Sequence, residues 1–378
     1  MVMPSGLSPK ATWVPRPGAT PHLAMSTPGI TSTVDRMLIN AYATHIDPPL
    51  LTFPHELNAR RDWRDPALAD HLQGLRGFLY QRITHAHGPG AQLTAEQRAL
   101  DDHVQRVRNH LSFHVDASHM EAVSKWAMAA NAVLFFEDTT MRDPLGRVLS
   151  GDAIDGDATV PHLTQGRVRK QASIARLRAR GVATLDWLPA MAPDPEVVLR
   201  SPVEIVDRIS SLTAVAARAE ALHADNELAV DSLRKRLPHA FVALSPMERT
   251  FLDQADPHEQ SVVNFVWRYE CVSVLLWVLD RYPTLPYPTA TCDVSLVTRT
   301  VLNTSYDDLV RGGTVRTVAE VLDHADLLYR LHWAVVNARE NDGVPPAGVQ
   351  GSIVVERRHT FEWLIDTETA WDDIALST

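Results

Sequence analysis

The stretch DPHEQSVVNFVWRYECVSVLLWVLDRY, from Asp256 to Tyr282, limits what this chain can fold into more than any other. Asp256 offers a cap oxygen, Pro257 the preset φ of a first helical position, and Glu259 a carboxylate able to return to the cap amide. One long helix is therefore expected over about 257–281. On a 3.6-residue period Val263, Val266, Trp267, Val274, Trp277 and Val278 share a face, and Phe265, Val272, Leu275, Leu276 and Leu279 carry the apolar surface nearly all round. Such a helix belongs inside a domain. Glu270 lies on the Trp267/Val274 face, where an unpaired carboxylate either takes up a proton or costs several kcal/mol, so it needs a partner.

The material for such a domain is present: 378 residues, 45% of them hydrophobic, suffice for one large domain or two of ordinary size. A formal charge of −10 argues against charge-driven binding to nucleic acid or an anionic membrane, because both need a basic surface. The two cysteines, Cys271 in the central helix and Cys292 in a loop, form no disulfide framework or CxxC pattern and read as reduced core thiols of a cytoplasmic protein. The longest apolar run, Cys271 to Leu279, is well short of the roughly 20 residues that span a bilayer. The first residues lack the apolar segment of a signal peptide.

Residues 1–33 are rich in Pro, Ser, Thr and Gly and are expected to be a flexible leader. Residues 34–160 are expected to form an N-terminal α+β domain with a small sheet. It contains a strand at Arg36–Thr44, an Asp65-capped helix to Arg82, and a strand at Val107–Val115 with one wet face that carries His110 and His114. A helix from Asp116 to Asn131, a buried strand at Ala132–Phe136 and a turn into an edge strand follow. Asp152, Asp155 and Asp157 share a loop, but without calcium-loop spacing they read as solvated. Residues 161–200 comprise a basic helix, Gln165–Arg180, and a Pro-punctuated linker. Its Arg167, Arg169, Lys170, Arg176, Arg178 and Arg180 are expected to rest on the protein's own negative surface.

Residues 201–378 are expected to be a mostly helical domain. Ser201-Pro202-Val203-Glu204 and Ser245-Pro246-Met247-Glu248 repeat the cap, Pro and Glu chemistry of Asp256. Helices are expected at about 202–223, 226–235 and 246–254, from Thr317 to Arg339, and at 352–365. On the helix after Thr317, His332 falls on the core stripe, whereas Arg330 lies beside Asp326 as an i, i+4 pair. On the last helix Arg357 sits among Ile353, Val354, Phe361, Leu364 and Ile365. Glu270, His332 and Arg357 thus point into one helical core. Glu270 and Arg357 are expected to pair there, since a guanidinium matches a carboxylate with parallel hydrogen bonds. The pair can be a register lock, or part of a site with perturbed acid/base groups.

No phosphate-binding loop, dinucleotide fingerprint, HExxH or GxSxG motif occurs. On a strand, His110 and His114 would be about 13 Å apart, too far for one metal. The sequence therefore calls for no cofactor and no metal.

The series RSPVEIVDR, LSPMERTFL, WRYECVSVLLWVL, TCD, DLLYRLHWAV, ERRHTFEWL and WDDI, across roughly residues 165–375, resembles the bacterial family known as domain of unknown function 4272. The preceding α+β part looks like the extra region of longer members. The resemblance implies a soluble intracellular protein and brings no established activity with it. Its motif positions nominate a candidate polar site of Arg268, Glu270, Asp293, Tyr329, Arg330, His332, Glu356, Arg357, His359, Trp371 and Asp372. The favoured expectation is a non-enzymatic binding or accessory protein that recognises a protein partner or small ligand. The alternative is a hydrolase- or transferase-like enzyme with Glu270 or His332 as general base and an arginine holding an anionic group.

Overall fold

The computed structural model describes residues 36–88, 92–226, 228–312 and 314–377, so the expected leader lies outside the described residues. The chain is α+β, with an antiparallel sheet first and a helical region after it. Residues 36–378 cluster as one compact unit.

The sheet is built from β1 (Arg36–Ala43), β2 (Glu56–Asp62), β3 (Asn109–Asp116), β4 (Ala132–Phe136), β5 (Met141–Arg142) and β6 (Val148–Ser150). Its order is β2-β3-β1-β4-β5-β6, with every neighbouring pair antiparallel. Side chains alternate across it. Ile39, Ala41, Phe113 and Leu134 face α3 (Met120–Ala129), while Tyr42, Val133 and Met141 face α1 (Pro66–His87) and α2 (Ala95–Gln105). The expected wet face of β3 is therefore absent. His110 and Ser112 are buried, because helices cover both sides of the sheet. The helix expected from Asp116 opens instead as a 3-10 turn, Ala117–His119, and its α part stops at Ala129. Asn131 follows in the left-handed region, with φ 49°.

The helical region comprises α4 (Gln165–Arg178), α5 (Pro202–His223), α6 (Val230–Arg236), α7 (Pro246–Asp253), α8 (Glu259–Val266), α9 (Arg268–Val278), α10 (Val294–Asn303), α11 (Tyr306–Arg311), α12 (Val318–Glu340) and α13 (Gly351–Ile365). Capping boxes at Ser201, Ser245 and Thr317 start α5, α7 and α12 where the sequence places them. The helix expected at 226–235 is shorter and later, as α6.

The long central helix is two helices. Asp256 is not its cap; His258 is, its Nδ1 accepting from the Gln260 N–H at 3.1 Å. At Trp267 the ladder tightens, with the Glu270 N–H donating to the Trp267 carbonyl at 3.0 Å. Across that break the expected apolar face does not hold. Val263, Val266 and Trp267 are only partly buried, and α8 buries Val262 and Phe265 instead. Beyond the break, α9 is buried throughout from Tyr269 to Val278. It packs against α5, α10 and α13, and α12 in turn packs on α13 and α4. The break puts Glu270 in the first turn of α9, where a carboxylate meets the positive end of the helix dipole. The 20 residues Glu259–Val278 are the one stretch, among those described, apolar enough to suggest a membrane span, and 67% of its best window is buried inside the protein.

Candidate functional site

Residues on α9 and α13 form two adjacent ion pairs. Arg357 donates from Nε to Glu270 Oε2 at 2.9 Å, with both side chains 2% exposed, and from Nη1 to the Pro286 carbonyl at 2.5 Å. The other Glu270 oxygen accepts from the Cys292 backbone N–H at 2.6 Å. Beside this pair Arg268 donates to Glu356 at 2.6 Å, and the same carboxylate oxygen accepts from Cys271 Sγ at 3.1 Å. Burial, and then the Glu356 charge, push the Cys271 thiol up; burial and Glu270 do the same to Cys292. Neither cysteine is a poised nucleophile. Cys292 is also only partly buried, less enclosed than a core thiol.

His332 does not join Glu270 and Arg357 in a common site. It is buried, but its Nδ1 accepts from Arg358, the residue after Arg357 on α13. The Arg358 guanidinium also lies over the Tyr329 ring, 4.9 Å from its centroid. Burial, helped by Arg358, lowers His332 to about 4, so the imidazole is neutral near pH 7. Arg330 does pair with Asp326, as the i, i+4 spacing suggests, but that pair is no surface feature. Its two bonds, of 3.0 and 2.6 Å, join side chains that are 0% exposed, because the segment carrying Pro189 closes over them and supplies a further acceptor at 3.0 Å.

His359 packs edge-on against Trp371 at 4.5 Å, and burial, then Arg268, lower it to about 4. Trp371 is buried, with the Arg208 guanidinium 5.0 Å from its ring centre. Asp372 accepts from the Met247 N–H at 2.9 Å, tying the C-terminal segment to the start of α7. Asp293 is exposed and caps α10 through the Leu296 N–H. Arg268 thus joins the α9/α13 pairs to the Trp371 corner, its guanidinium 6.0 Å from that ring centre, whereas His332, Arg330 and Asp293 take other partners, in the Arg358 contact, the Asp326 pair and a helix cap.

The fully buried pair of Arg208 and Glu248 was not anticipated. Glu248 is the return carboxylate of a capping box, and the oxygen that accepts from the Ser245 N–H also takes Arg208. Arg208 sits among buried residues of α5, and an arginine on that face was the available signal.

The loop holding Pro286 closes one side of a pocket of about 150 Å³, floored by Arg357 and walled by Arg176, Arg180, Tyr287 and His324. Of the basic residues on α4, Arg169 pairs with Asp194 and Asp323, Lys170 with the Asp186 and Leu188 carbonyls, and Arg178 with Asp186. The expected docking of this helix on the protein's own acids accounts for Arg169 and Arg178, while Lys170 docks on backbone carbonyls instead.

The sequence model of one family, described as Domain of unknown function (DUF4272), matches residues 169–374, a span that takes in every nominated residue and this pocket. No curated protein and no solved structure matches the chain.

Proposed function

The chain belongs to the DUF4272 family, and we propose that it is a non-enzymatic, cytoplasmic binding protein whose helical region recognises a small ligand. One observation carries this reading: Glu270 and His332, the two candidate general bases, and the neighbouring acids are occupied by charged partners. Glu270 is taken by Arg357 and a backbone N–H, Glu356 by Arg268 and Cys271, Asp326 by Arg330, and His332 by Arg358. A general base needs a free lone pair within reach of its substrate. Buried pairs of this kind instead fix helix register and hold the pocket walls in place.

The test is a thermal-shift screen of the full chain against small metabolites, followed by mass spectrometry of each stabilising compound after long incubation. A saturable rise in melting temperature with the compound recovered unchanged is expected. Conversion of a compound by the wild type but not by Glu270→Gln would replace this reading with the enzymatic one.

A further inference from the structure

We propose that the pocket between α4, the loop at 285–288 and α12 binds the phosphoryl group of a small ligand, with Arg176 and Arg180 as its charged contacts. The inference rests on the binding reading above and specifies where the ligand sits and what group it presents.

On a chain with a formal charge of −10, basic side chains have carboxylates in easy reach; on α4, Arg169 and Arg178 use them, Lys170 uses backbone carbonyls, and Arg167 meets His162 Nε2 at 2.9 Å. Arg176 and Arg180 are different. Both are exposed, Arg176 in the last turn of α4 and Arg180 two residues past its end, and neither is within ion-pair distance of an acid among the described residues. No carboxylate lines the pocket they enter. Two guanidiniums held on one side of a concave wall without a counter-ion repel each other, and an incoming anion relieves that repulsion.

The remaining walls complete an acceptor-binding set. The Arg180 guanidinium lies 4.2 Å from the Tyr287 ring centre, which fixes its direction. The Tyr287 hydroxyl is buried without a hydrogen-bond partner, so it has a proton to donate. Both Arg176 and Arg180 lie close enough to that hydroxyl to oppose the upward push of burial on its pKa. The floor is Arg357, whose Nε is spent on Glu270, so the pocket is braced from below by the α9/α13 ion pair. A phosphoryl group offers three terminal oxygens and nearly two negative charges, enough to occupy two guanidiniums and a phenol together. A carboxylate brings only one negative charge to set against two guanidiniums.

The experiment is calorimetric titration of the full chain at low ionic strength with inorganic phosphate, phenyl phosphate and acetate. Wild type, the double variant Arg176→Gln/Arg180→Gln and the control Arg178→Gln are compared. The altered side chains are exposed, so folding is expected to be unchanged and is checked by melting temperature. Saturable phosphate binding that weakens at least tenfold in the double variant and less than threefold in the control is the expected result. Equal weakening in the control, no loss in the double variant, absence of phosphate binding, or acetate binding as tightly as phosphate would each overturn the assignment. A metabolite that still binds the double variant would leave the broader binding reading standing while removing this site from it.

Discussion

Glu270 and Arg357 meet at 2.9 Å although 87 residues of sequence separate them, and each side chain is 2% exposed. The contact ties α9 to α13, and through the Pro286 carbonyl and the Cys292 N–H it also ties in the middle and the far end of the loop between α9 and α10. Desolvating two charges costs about as much as their attraction returns, so the pair specifies which helices meet more than it adds stability.

Removing one partner is therefore worse than removing both. Arg357→Leu or Glu270→Leu alone is expected to cost about 3–5 kcal/mol, because each leaves a buried charge uncompensated. The double variant Glu270→Leu/Arg357→Leu is expected to recover most of that loss. Urea unfolding of the four proteins measures the coupling, and additive single effects would contradict it.

The helix starts make a paired prediction. Ser245→Ala removes a side chain that accepts from the Glu248 N–H and is expected to cost about 1 kcal/mol. Asp256→Ala is expected to cost under about 0.5 kcal/mol, since His258 supplies the cap of α8. Thermal or urea unfolding distinguishes the two.

Gly166 in α4 should resist the usual benefit of alanine in a helix. A Cβ there would lie 2.2 Å from the Met191 carbonyl oxygen, so the backbones must separate. Gly166→Ala is expected to destabilise by about 1–3 kcal/mol, against the roughly 1 kcal/mol gain that helix propensity alone predicts. The sign of the change in unfolding free energy decides.

Acid should loosen the sheet domain through His110. Its Nε2–H donates to Asn40 Oδ1 at 3.1 Å and its Nδ1 accepts from Arg61 at 3.0 Å, an arrangement that requires the neutral ring. Burial, then His71 and Arg61, lower its pKa from 6.5 to about 3. With the folded pKa depressed, the contribution is fully present above pH 6.5 and is lost as pH falls toward 3. On the order of 3 kcal/mol should disappear between pH 6.5 and 4, and His110→Gln should flatten that slope in chemical-denaturation curves.

Much of this architecture was legible because its signals are local. The capping boxes at Ser201, Ser245 and Thr317 name helix starts within a few residues, and the same pattern at Thr94 and Gln97 starts α2, which is absent from the elements expected above. Strand β2, ELNARRD, carries almost no apolar alternation, because an edge strand partly open to solvent need not bury either face. The Glu270/Arg357 pair was legible for a different reason: two opposite charges stranded on apolar helix faces have few other ways to be neutralised.

The sequence by itself determined which side chains must leave water, since periodicity and capping depend on residues a turn apart. Beyond the Glu270/Arg357 and Asp326/Arg330 pairs, which of those groups meet and what encloses them was decided only by the tertiary structure. His332 found Arg358 rather than Glu270, Arg330 and Asp326 were sealed by the Pro189 segment, and Arg176 and Arg180 were left facing a pocket without an acid. The physical reason is range. A helix's amphipathicity is set within about 5 Å along its own axis, whereas a guanidinium's partner depends on the packing of helices whose sequence separation carries no distance information.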